Sequence, residues 1–272
     1  MPTATIPIPA IEAIAIDRFI ASCTTPLILE TTEHTGILGT GTFFRSSGRS
    51  FLITASHLFE KGVDVNKIAV PLSPVKADLW TLGNVELFYP NDSFYDIAVL
   101  ELKNKSLVEQ LQQRWTFLSH ANVAMPSKNH RWFIVGGFPC ALSRTTPSEV
   151  RGMFADFYTT PLPGVPEQAM QPVDLSVDLF LHYRRDGEKL GGTDLATPKL
   201  HGVSGASVWA LSDTRSAQVW SPEHQLRIVA IQVAFVHSSY IRTKKWTAVA
   251  ALFAQIDANI AQELRSTLQL RS

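Results

Sequence analysis

The segment HGVSGASVW, residues 201–209, places Ser204 in a turn flanked by two glycines, directly before a short apolar run. A serine hydroxyl is inert at neutral pH unless a base takes its proton and nearby donors stabilise the oxyanion that forms. Gly202 suits such a turn, because it adopts backbone conformations that a side chain would hinder. By itself the segment also fits a β-bulge or a tight turn, so its meaning depends on the rest of the chain.

Two segments earlier in the chain supply the partners that such a serine needs. FLITASHLF (51–59) carries His57 at the end of an apolar run, and FYDIAVLEL (94–102) carries Asp96 at the start of another. An imidazole that takes a serine proton needs an acceptor on its second nitrogen, because that contact fixes its tautomer. An aspartate before a strand, taken alone, often only caps a turn. The three motifs together, in the order histidine, aspartate, serine, predict a catalytic triad.

Taken together, these motifs resemble those of the trypsin/chymotrypsin-like serine proteases, in their bacterial, non-secreted form. TASH is similar to the family's histidine motif, DIAVL to its aspartate motif and GVSGA to its serine motif. GTGTFF before the histidine and GGFP at 136–139 resemble two further steps of the family's barrels. The resemblance covers about residues 26–268, and it implies a serine endopeptidase that cleaves peptide bonds through an acyl-enzyme intermediate.

The resemblance also implies a role for each group. Ser204 Oγ is expected to attack the scissile carbonyl, while His57 takes the hydroxyl proton and later gives it to the leaving amine. Asp96 is expected to orient His57 and to stabilise its protonated form. The backbone N–H groups of Gly202 and Ser204 are expected to form the oxyanion hole, where the loss of one donor costs roughly 3–4 kcal/mol of barrier.

Two positions depart from the family's pattern. Val203 stands where relatives that are activated by cleavage have an aspartate, so we expect that N-terminal cleavage is not required. Pro198 stands where trypsins place the aspartate that binds Lys or Arg, so a basic preference is not supported. The candidate residues of the substrate pocket are Pro198, His201, Gln232, Val233 and Ala234. The alternative for His201 and Gln232 is that they fill or rim the pocket without selecting charge.

The spacing of short apolar runs predicts the fold class. Runs such as PLILE, FLITASHLF, KIAVPL and RWFIVGGFP are separated by turn residues and do not alternate with long helices. This pattern is typical of all-β barrels and sandwiches. Together with the resemblance, it predicts an all-β fold of two six-stranded antiparallel β-barrels, chymotrypsin-like, with a C-terminal α-helix.

The predicted organisation has four parts. They are an N-terminal helical segment at 1–24, a first barrel at 25–118 with His57 and Asp96, a second barrel at 119–245 with Ser204, and a C-terminal helix at 246–272. The last part places apolar side chains three or four residues apart, which indicates one amphipathic helix. We expect this helix to dock on the second barrel, and an oligomerisation face is the alternative.

The composition excludes several classes of function. The chain has 272 residues, no formal net charge and 45% apolar residues, as expected of a globular protein. Its basic residues are scattered, so neither nucleic acid nor a membrane surface is an expected partner. The N-terminus lacks a signal-peptide pattern, and no run approaches the ~20 apolar residues that span a bilayer. We therefore expect a cytoplasmic protein that acts on a protein or peptide substrate.

No cofactor and no metal are expected from the sequence. No histidine pair has a metal-ligand spacing, and the two cysteines do not form a CxxC motif. Cys23 and Cys140 lie far apart in the sequence, which indicates buried free thiols, and a bridge between them stays an open alternative.

Two alternatives to a freely active protease stay open from the sequence. A catalytically latent protease fold would serve as a binding module, and a disordered or inverted oxyanion turn would favour that function. The chain would otherwise be the effector of a larger complex, restrained by a regulatory protein partner. The sequence indicates neither the natural substrate nor the trigger, because role does not follow from fold.

Overall fold

The computed structural model describes residues 8–30, 35–60, 62–146, 149–183, 199–211 and 220–270. These residues form two curled antiparallel sheets with helices at both ends of the chain. The helices are α1 (Ala10–Cys23), α2 (Lys105–Gln112), α3 (Pro222–Gln225), α4 (Trp246–Ile256) and α5 (Ala258–Leu270). No helix in these ranges combines the length and the apolarity needed to cross a bilayer.

The first sheet contains the first seven strands of the chain. They are β1 (Thr24–Glu30), β2 (Thr35–Ser46), β3 (Arg49–Thr54), β4 (Ile68–Ser73), β5 (Lys76–Thr81), β6 (Val85–Phe88) and β7 (Ala98–Leu102). Their order across the sheet is β5-β4-β1-β2-β3-β7-β6. Strands β2 and β3 form a hairpin whose turn residues, Ser47 and Gly48, both have positive φ, as a tight two-residue hairpin turn requires.

The second sheet contains six strands from the second half of the chain. The strands of this half are β8 (Phe133–Gly137), β9 (Arg144–Thr146), β10 (Glu149–Arg151), β11 (Ala155–Thr159), β12 (Asp178–His182), β13 (Ser207–Leu211), β14 (Leu226–Val236) and β15 (Tyr240–Lys245). The sheet order is β11-β8-β13-β14-β15-β12, and β9 and β10 form a separate hairpin. Strand β8 pairs with β13, so the GGFP segment lies next to the strand that follows Ser204.

The structure confirms the predicted fold class, with two differences in detail. The fold is mostly β, with two curled antiparallel sheets and C-terminal helices. The first sheet has seven strands rather than six. The predicted single C-terminal helix is interrupted at Asp257, which is extended at φ −160° and whose carboxylate accepts the Asn259 N–H at 3.0 Å. The domain limits drawn from the sequence stay predictions.

The core between the two sheets is closed by the terminal helices. Phe19 of α1 packs edge-on against Trp209 of β13, with ring centroids 5.6 Å apart. Phe253 of α4 packs edge-on against Phe51 of β3 at 5.0 Å. Helix α4 contacts β14 and β15 of the second sheet, where we expected it to dock, and it also contacts the first sheet.

Candidate active site

His57 and Asp96 are brought together by the ends of two neighbouring strands of the first sheet. His57 lies in a 3₁₀ turn, Ser56–Phe59, just after β3, and Asp96 lies just before β7, which pairs with β3. The imidazole Nδ1 lies 2.9 Å from Asp96 Oδ2. The His57 backbone N–H and the Ser56 hydroxyl both donate to Asp96 Oδ1, at 3.0 and 3.1 Å. Three groups from one turn thus fix the carboxylate against the ring.

The backbone of Asp96 is itself unusual. Its φ of +41° lies in the left-handed region, which few non-glycine residues adopt and which aspartate tolerates better than most. The preceding 3₁₀ turn, Ser93–Tyr95, is held by Asp92, whose carboxylate accepts the Phe94 N–H at 2.9 Å. This turn ends directly before Asp96, whose left-handed backbone conformation directs its carboxylate toward His57.

The surroundings of His57 favour its protonated form. Burial of the ring lowers the pKa of His57, but the hydrogen bond and the charge of Asp96, together with the charge of Glu60, outweigh this effect. The pKa of His57 therefore lies above its ordinary value. An imidazole with a raised pKa is a stronger base when it is neutral, and its side chain keeps about a third of its surface exposed toward solvent.

The turn that carries Ser204 depends on glycines with left-handed backbone. Gly202 has a φ of +88°, and a Cβ on it would lie 2.7 Å from Cys140 Sγ and 2.7 Å from the Phe138 carbonyl oxygen. Gly205 has a φ of +91°. Both the conformation and the lack of space therefore require glycine at position 202.

One candidate oxyanion donor, the Gly202 N–H, points away from the segment that carries Cys140. The His201 carbonyl accepts a hydrogen bond from the Cys140 N–H at 2.7 Å. The carbonyl and the N–H of one trans peptide point in opposite directions. Because the His201 carbonyl faces Cys140, the Gly202 N–H faces the other way, and no acceptor among the described residues is bonded to it.

The orientation of the second candidate donor, the Ser204 N–H, follows from the same opposed directions of carbonyl and N–H in one peptide. The Val203 carbonyl accepts from the Ala206 N–H at 2.8 Å, so the Ser204 N–H points away from that contact. This N–H also has no bonded acceptor within the described ranges. The carbonyls of the turn thus accept hydrogen bonds from the protein. The two N–H groups that the sequence predicts as oxyanion donors are not hydrogen-bonded to any described residue.

Thr40 of β2 links this turn to the first sheet, and the sequence analysis missed it. Its N–H donates to the Ser204 carbonyl at 2.8 Å, and its hydroxyl donates to the Gly202 carbonyl at 2.8 Å. The hydroxyl also accepts the Phe138 N–H at 3.1 Å, and the Thr54 hydroxyl donates to the Thr40 carbonyl at 2.6 Å. The signal was a threonine between two glycines in GTGTFF, a segment that was noted only for its likeness to a family strand.

The nucleophile turn lies beside the segment that carries His57. A Cβ on Gly39 would lie 2.4 Å from Leu58 Cδ1 and 3.0 Å from the Ser204 carbonyl oxygen, so both segments pack on this one position. The structure therefore brings the Ser204 turn to the first sheet. No hydrogen bond is recorded between the described side chains of Ser204 and His57. Such contacts are often long in substrate-free enzymes and tighten when substrate binds.

A cavity of about 540 Å³ opens beside His57 and Asp96. Its walls come from both sheets and from the connection before β12. The lining residues are His57, Glu60, Asp92, Phe94, Asp96, Met170, Gln171, Pro172, Val233, Ala234, Arg242 and Lys244. Its lining combines apolar side chains, such as Phe94 and Val233, with charged ones, of which Glu60 and Asp92 are exposed.

A buried charge cluster forms the back of this cavity. Arg242 donates to both carboxylate oxygens of Asp178, at 2.9 and 2.8 Å, and Lys244 Nζ lies 2.7 Å from Asp178 Oδ1. Burial raises the pKa of Asp178, but the bonds from Arg242 and Lys244 outweigh it, so the pKa is lowered. Burial lowers the pKa of Lys244 more than Asp178 raises it. Lys244 Nζ also lies 3.6 Å from the centre of the Phe94 ring, which separates it from solvent.

The predicted pocket residues have different surroundings. Val233 and Ala234 line the cavity beside His57. Gln232 is fully buried, and neither oxygen nor nitrogen of its side-chain amide has a hydrogen-bond partner. His201 is exposed, and its ring packs on Phe235 with centroids 5.2 Å apart. Pro198 lies outside the described residues.

The two cysteines are free thiols. Cys23 is buried, as expected, and burial raises its pKa to about 12. Cys140 is only half-buried, contrary to expectation, because it lies beside the Ser204 turn near the surface; partial burial raises its pKa. Raised thiol pKa values disfavour the nucleophilic thiolate. Within the described ranges, no three His, Cys, Asp or Glu side chains are grouped as metal ligands.

Comparison with solved structures gives structural neighbours, including two that are distant in sequence. No protein-family model matches the chain, and no curated protein matches it by sequence. A solved structure of the thermostable serine protease AL20 from an extremophilic microorganism is similar over 92% of this chain and 99% of its own, with a TM-score of 0.48 and 10% identity. A structure from work on the Sesbania mosaic virus VPg protein is similar over 84% of this chain and 88% of its own, with a TM-score of 0.46 and 11% identity. Likenesses this distant say nothing about activity.

Proposed function

We propose that this protein is a serine endopeptidase that uses His57, Asp96 and Ser204 as a catalytic triad. The observation that carries the proposal is the combination of two arrangements. One is the His57–Asp96 contact of 2.9 Å beside an open cavity. The other is the Ser204 turn, whose inward carbonyls leave the N–H groups of Gly202 and Ser204 free. A structural histidine needs the first arrangement but has no use for the second.

The chemistry then follows from where each group lies. His57 takes the proton of the Ser204 hydroxyl as Oγ bonds to the scissile carbonyl carbon, and the free N–H groups bind the resulting oxyanion. The C–N bond breaks when His57 returns the proton to the leaving amine, which leaves an ester on Ser204. A water molecule, deprotonated by His57, hydrolyses this ester. Asp96 stays ionised throughout and stabilises the imidazolium.

The cavity beside His57 is the proposed site for a substrate side chain near the scissile bond. Val233 and Ala234 belong to β14, whose Gln232 carbonyl accepts the Gly205 N–H at 2.8 Å, so this strand runs directly beside the nucleophile turn. An extended substrate added along β14 would place side chains in the cavity. We propose that the apolar wall of Phe94 and Val233 favours an apolar side chain there.

A fluorophosphonate probe, which reacts only with an activated serine, tests the proposal. We expect the wild-type chain to be labelled and Ser204→Ala to be unlabelled. Ser266→Ala, an exposed serine of α5, is the matched control and should be labelled like the wild type. Casein cleavage by the wild type and not by Ser204→Ala would extend the result to peptide bonds. Equal labelling of wild type and Ser204→Ala would overturn the proposal.

A latent protease fold is the second candidate function, and one observation favours it. No hydrogen bond joins the described side chains of Ser204 and His57. A regulatory protein partner that closes this gap would make the chain the effector of a larger complex. A wild type that resists the probe alone but is labelled when its partner is added would support this function. Rapid labelling of the isolated chain would exclude it.

A further inference from the structure

We infer that Thr40 is a positioning residue of the proposed active site, whose hydroxyl holds the oxyanion turn open. The inference rests on the proposed function, and it concerns a side chain that cannot touch the substrate. Thr40 is fully buried, so it acts only through the groups to which it is bonded. The partners of its hydroxyl are the Gly202 carbonyl, in the turn that carries the nucleophile, and the Phe138 N–H, just after β8 of the other sheet.

The turn contains a point of easy rotation that needs to be fixed. Gly202 has a φ of +88° and no Cβ, so the peptides on either side of it rotate at low steric cost. A rotation that turns the His201 carbonyl outward would replace the free Gly202 N–H by an oxygen, which repels an oxyanion. The His201–Gly202 peptide is held by the Cys140 N–H on its carbonyl. The Gly202–Val203 peptide is held by the Thr40 hydroxyl on its carbonyl and by the Val203 N–H, which donates to the Leu200 carbonyl at 3.0 Å.

The Thr40 hydroxyl makes one of the two carbonyl bonds and supports the segment that makes the other. It donates directly to the Gly202 carbonyl at 2.8 Å. It also accepts the Phe138 N–H at 3.1 Å, two residues before Cys140, whose own N–H holds the His201 carbonyl. One hydroxyl thus donates to the turn and accepts from the segment that supports the turn. A valine of the same shape would break both contacts and leave two buried polar groups without partners.

The neighbouring Thr42 provides a control on the same strand. It is also fully buried, but its hydroxyl has no hydrogen-bond partner in the part of the chain that the structure describes. The same threonine-to-valine change therefore removes a hydrogen-bonded hydroxyl at position 40, whereas at position 42 it removes one with no described hydrogen-bond partner. A difference between the two variants reports the role of the Thr40 contacts rather than the effect of the substitution on a buried strand.

The test measures the second-order rate constant of fluorophosphonate labelling across pH for four variants. We expect Thr40→Val to react at least tenfold more slowly than the wild type, with the pH of half-maximal rate unchanged because the His57–Asp96 contact is intact. Thr40→Ser, which keeps the hydroxyl, should stay within threefold of the wild type, and Thr42→Val should match it. Thr40→Cys, a weaker hydrogen-bonding group of similar size, should fall between Ser and Val. This fourth variant also serves if Thr40→Val does not fold.

Amide hydrogen exchange over residues 199–206, measured by mass spectrometry, provides a readout that does not depend on catalysis. We expect faster exchange in this segment for Thr40→Val or Thr40→Cys and wild-type exchange for Thr42→Val. If the wild type is not labelled but exchange changes as expected, the proposed function fails while Thr40 still positions the turn. If Thr40→Val or Thr40→Cys labels and exchanges like Thr42→Val, the inference about Thr40 is wrong.

Discussion

At the scale of single residues, the His57–Asp96 contact makes a prediction about pH. A protease of this type is active when His57 is neutral, so its rate rises as pH passes the raised pKa of His57. Asp96→Asn weakens or removes the hydrogen-bond and charge effects of Asp96 that raise this pKa, and leaves burial, which lowers it, and the charge of Glu60, which raises it. We expect the rate to fall roughly 10⁴-fold and the half-maximal pH of the remaining activity to move lower. The labelling rate measured across pH checks both.

A related prediction concerns Glu60, whose effect on the pKa of His57 is smaller. Its charge also raises the pKa of His57, but it makes no recorded bond to the ring. Glu60→Gln should therefore move the half-maximal pH in the same direction by less than Asp96→Asn, with little change in the maximal rate. A half-maximal pH that moves upward in either variant would contradict the electrostatic account.

The proposed catalytic residues were easier to single out from sequence than the residues that hold them. His57, Asp96 and Ser204 each stand in a short motif with a specific chemical requirement, so their positions were identifiable. Thr40 has no such requirement, because any buried strand contains threonines, and only the fold shows that this hydroxyl meets the nucleophile turn. Nothing in the sequence indicates that the Gln232 amide is buried without a hydrogen-bond partner among the described residues, since burial depends on neighbours distant in sequence.

At the scale of elements, the approach of the Ser204 turn to β2 and β3 depends on Gly205. A Cβ on Gly205 would lie 2.1 Å from the Thr40 carbonyl oxygen and 2.1 Å from Thr54 Oγ1, which are atoms of the other sheet. Gly205→Ala should therefore push the turn away from the first sheet. We expect a large fall in melting temperature together with the loss of probe labelling.

Gly48, in the β2–β3 turn, provides a control that distinguishes the cost of a left-handed backbone from the cost of steric contact. It also has positive φ, +74°, but a Cβ there would meet nothing within 4 Å. Gly48→Ala should cost only about 1–2 kcal/mol, the penalty of a left-handed conformation, and should keep normal labelling. Equal losses in Gly48→Ala and Gly205→Ala would mean that backbone strain, and not contact between the sheets, explains the effect.

Strands were predictable from the sequence where they are apolar and were missed where they are charged. The segment YIRTKK forms β15, in the interior of the second sheet, although it carries three basic residues in six. Its charges are accommodated because Arg242 and Lys244 both contact the buried Asp178, which lies on the neighbouring β12. Charge is normally a sign of exposure, and only the pairing across strands explains its burial here.

At the scale of the whole molecule, the proposed site is assembled from both sheets. His57 and Asp96 belong to the first and Ser204 to the second, and α4 packs across the core between them. Phe253→Ala should remove about 3–5 kcal/mol of stability, because its ring is fully buried against Phe51. We expect labelling and tryptophan fluorescence to be lost in one urea transition, shifted to lower urea.

The exposed Gln255, on the other side of α4, is the control for this prediction. Gln255→Ala should unfold at the wild-type urea concentration. Labelling of Phe253→Ala could instead be lost at a much lower urea concentration than its fluorescence. In that case the two sheets separate before they unfold, and α4 holds the site together without belonging to a common core.

The position of α4 also bears on the order in which the proposed site is assembled during synthesis. Ribosomes make chains from the N-terminus, so α4 is made after both sheets. Until then the Phe44 and Phe51 rings of the first sheet lack the Trp246 and Phe253 rings that pack against them. We therefore expect the residues of the proposed triad to be held in place only once α4 has been made.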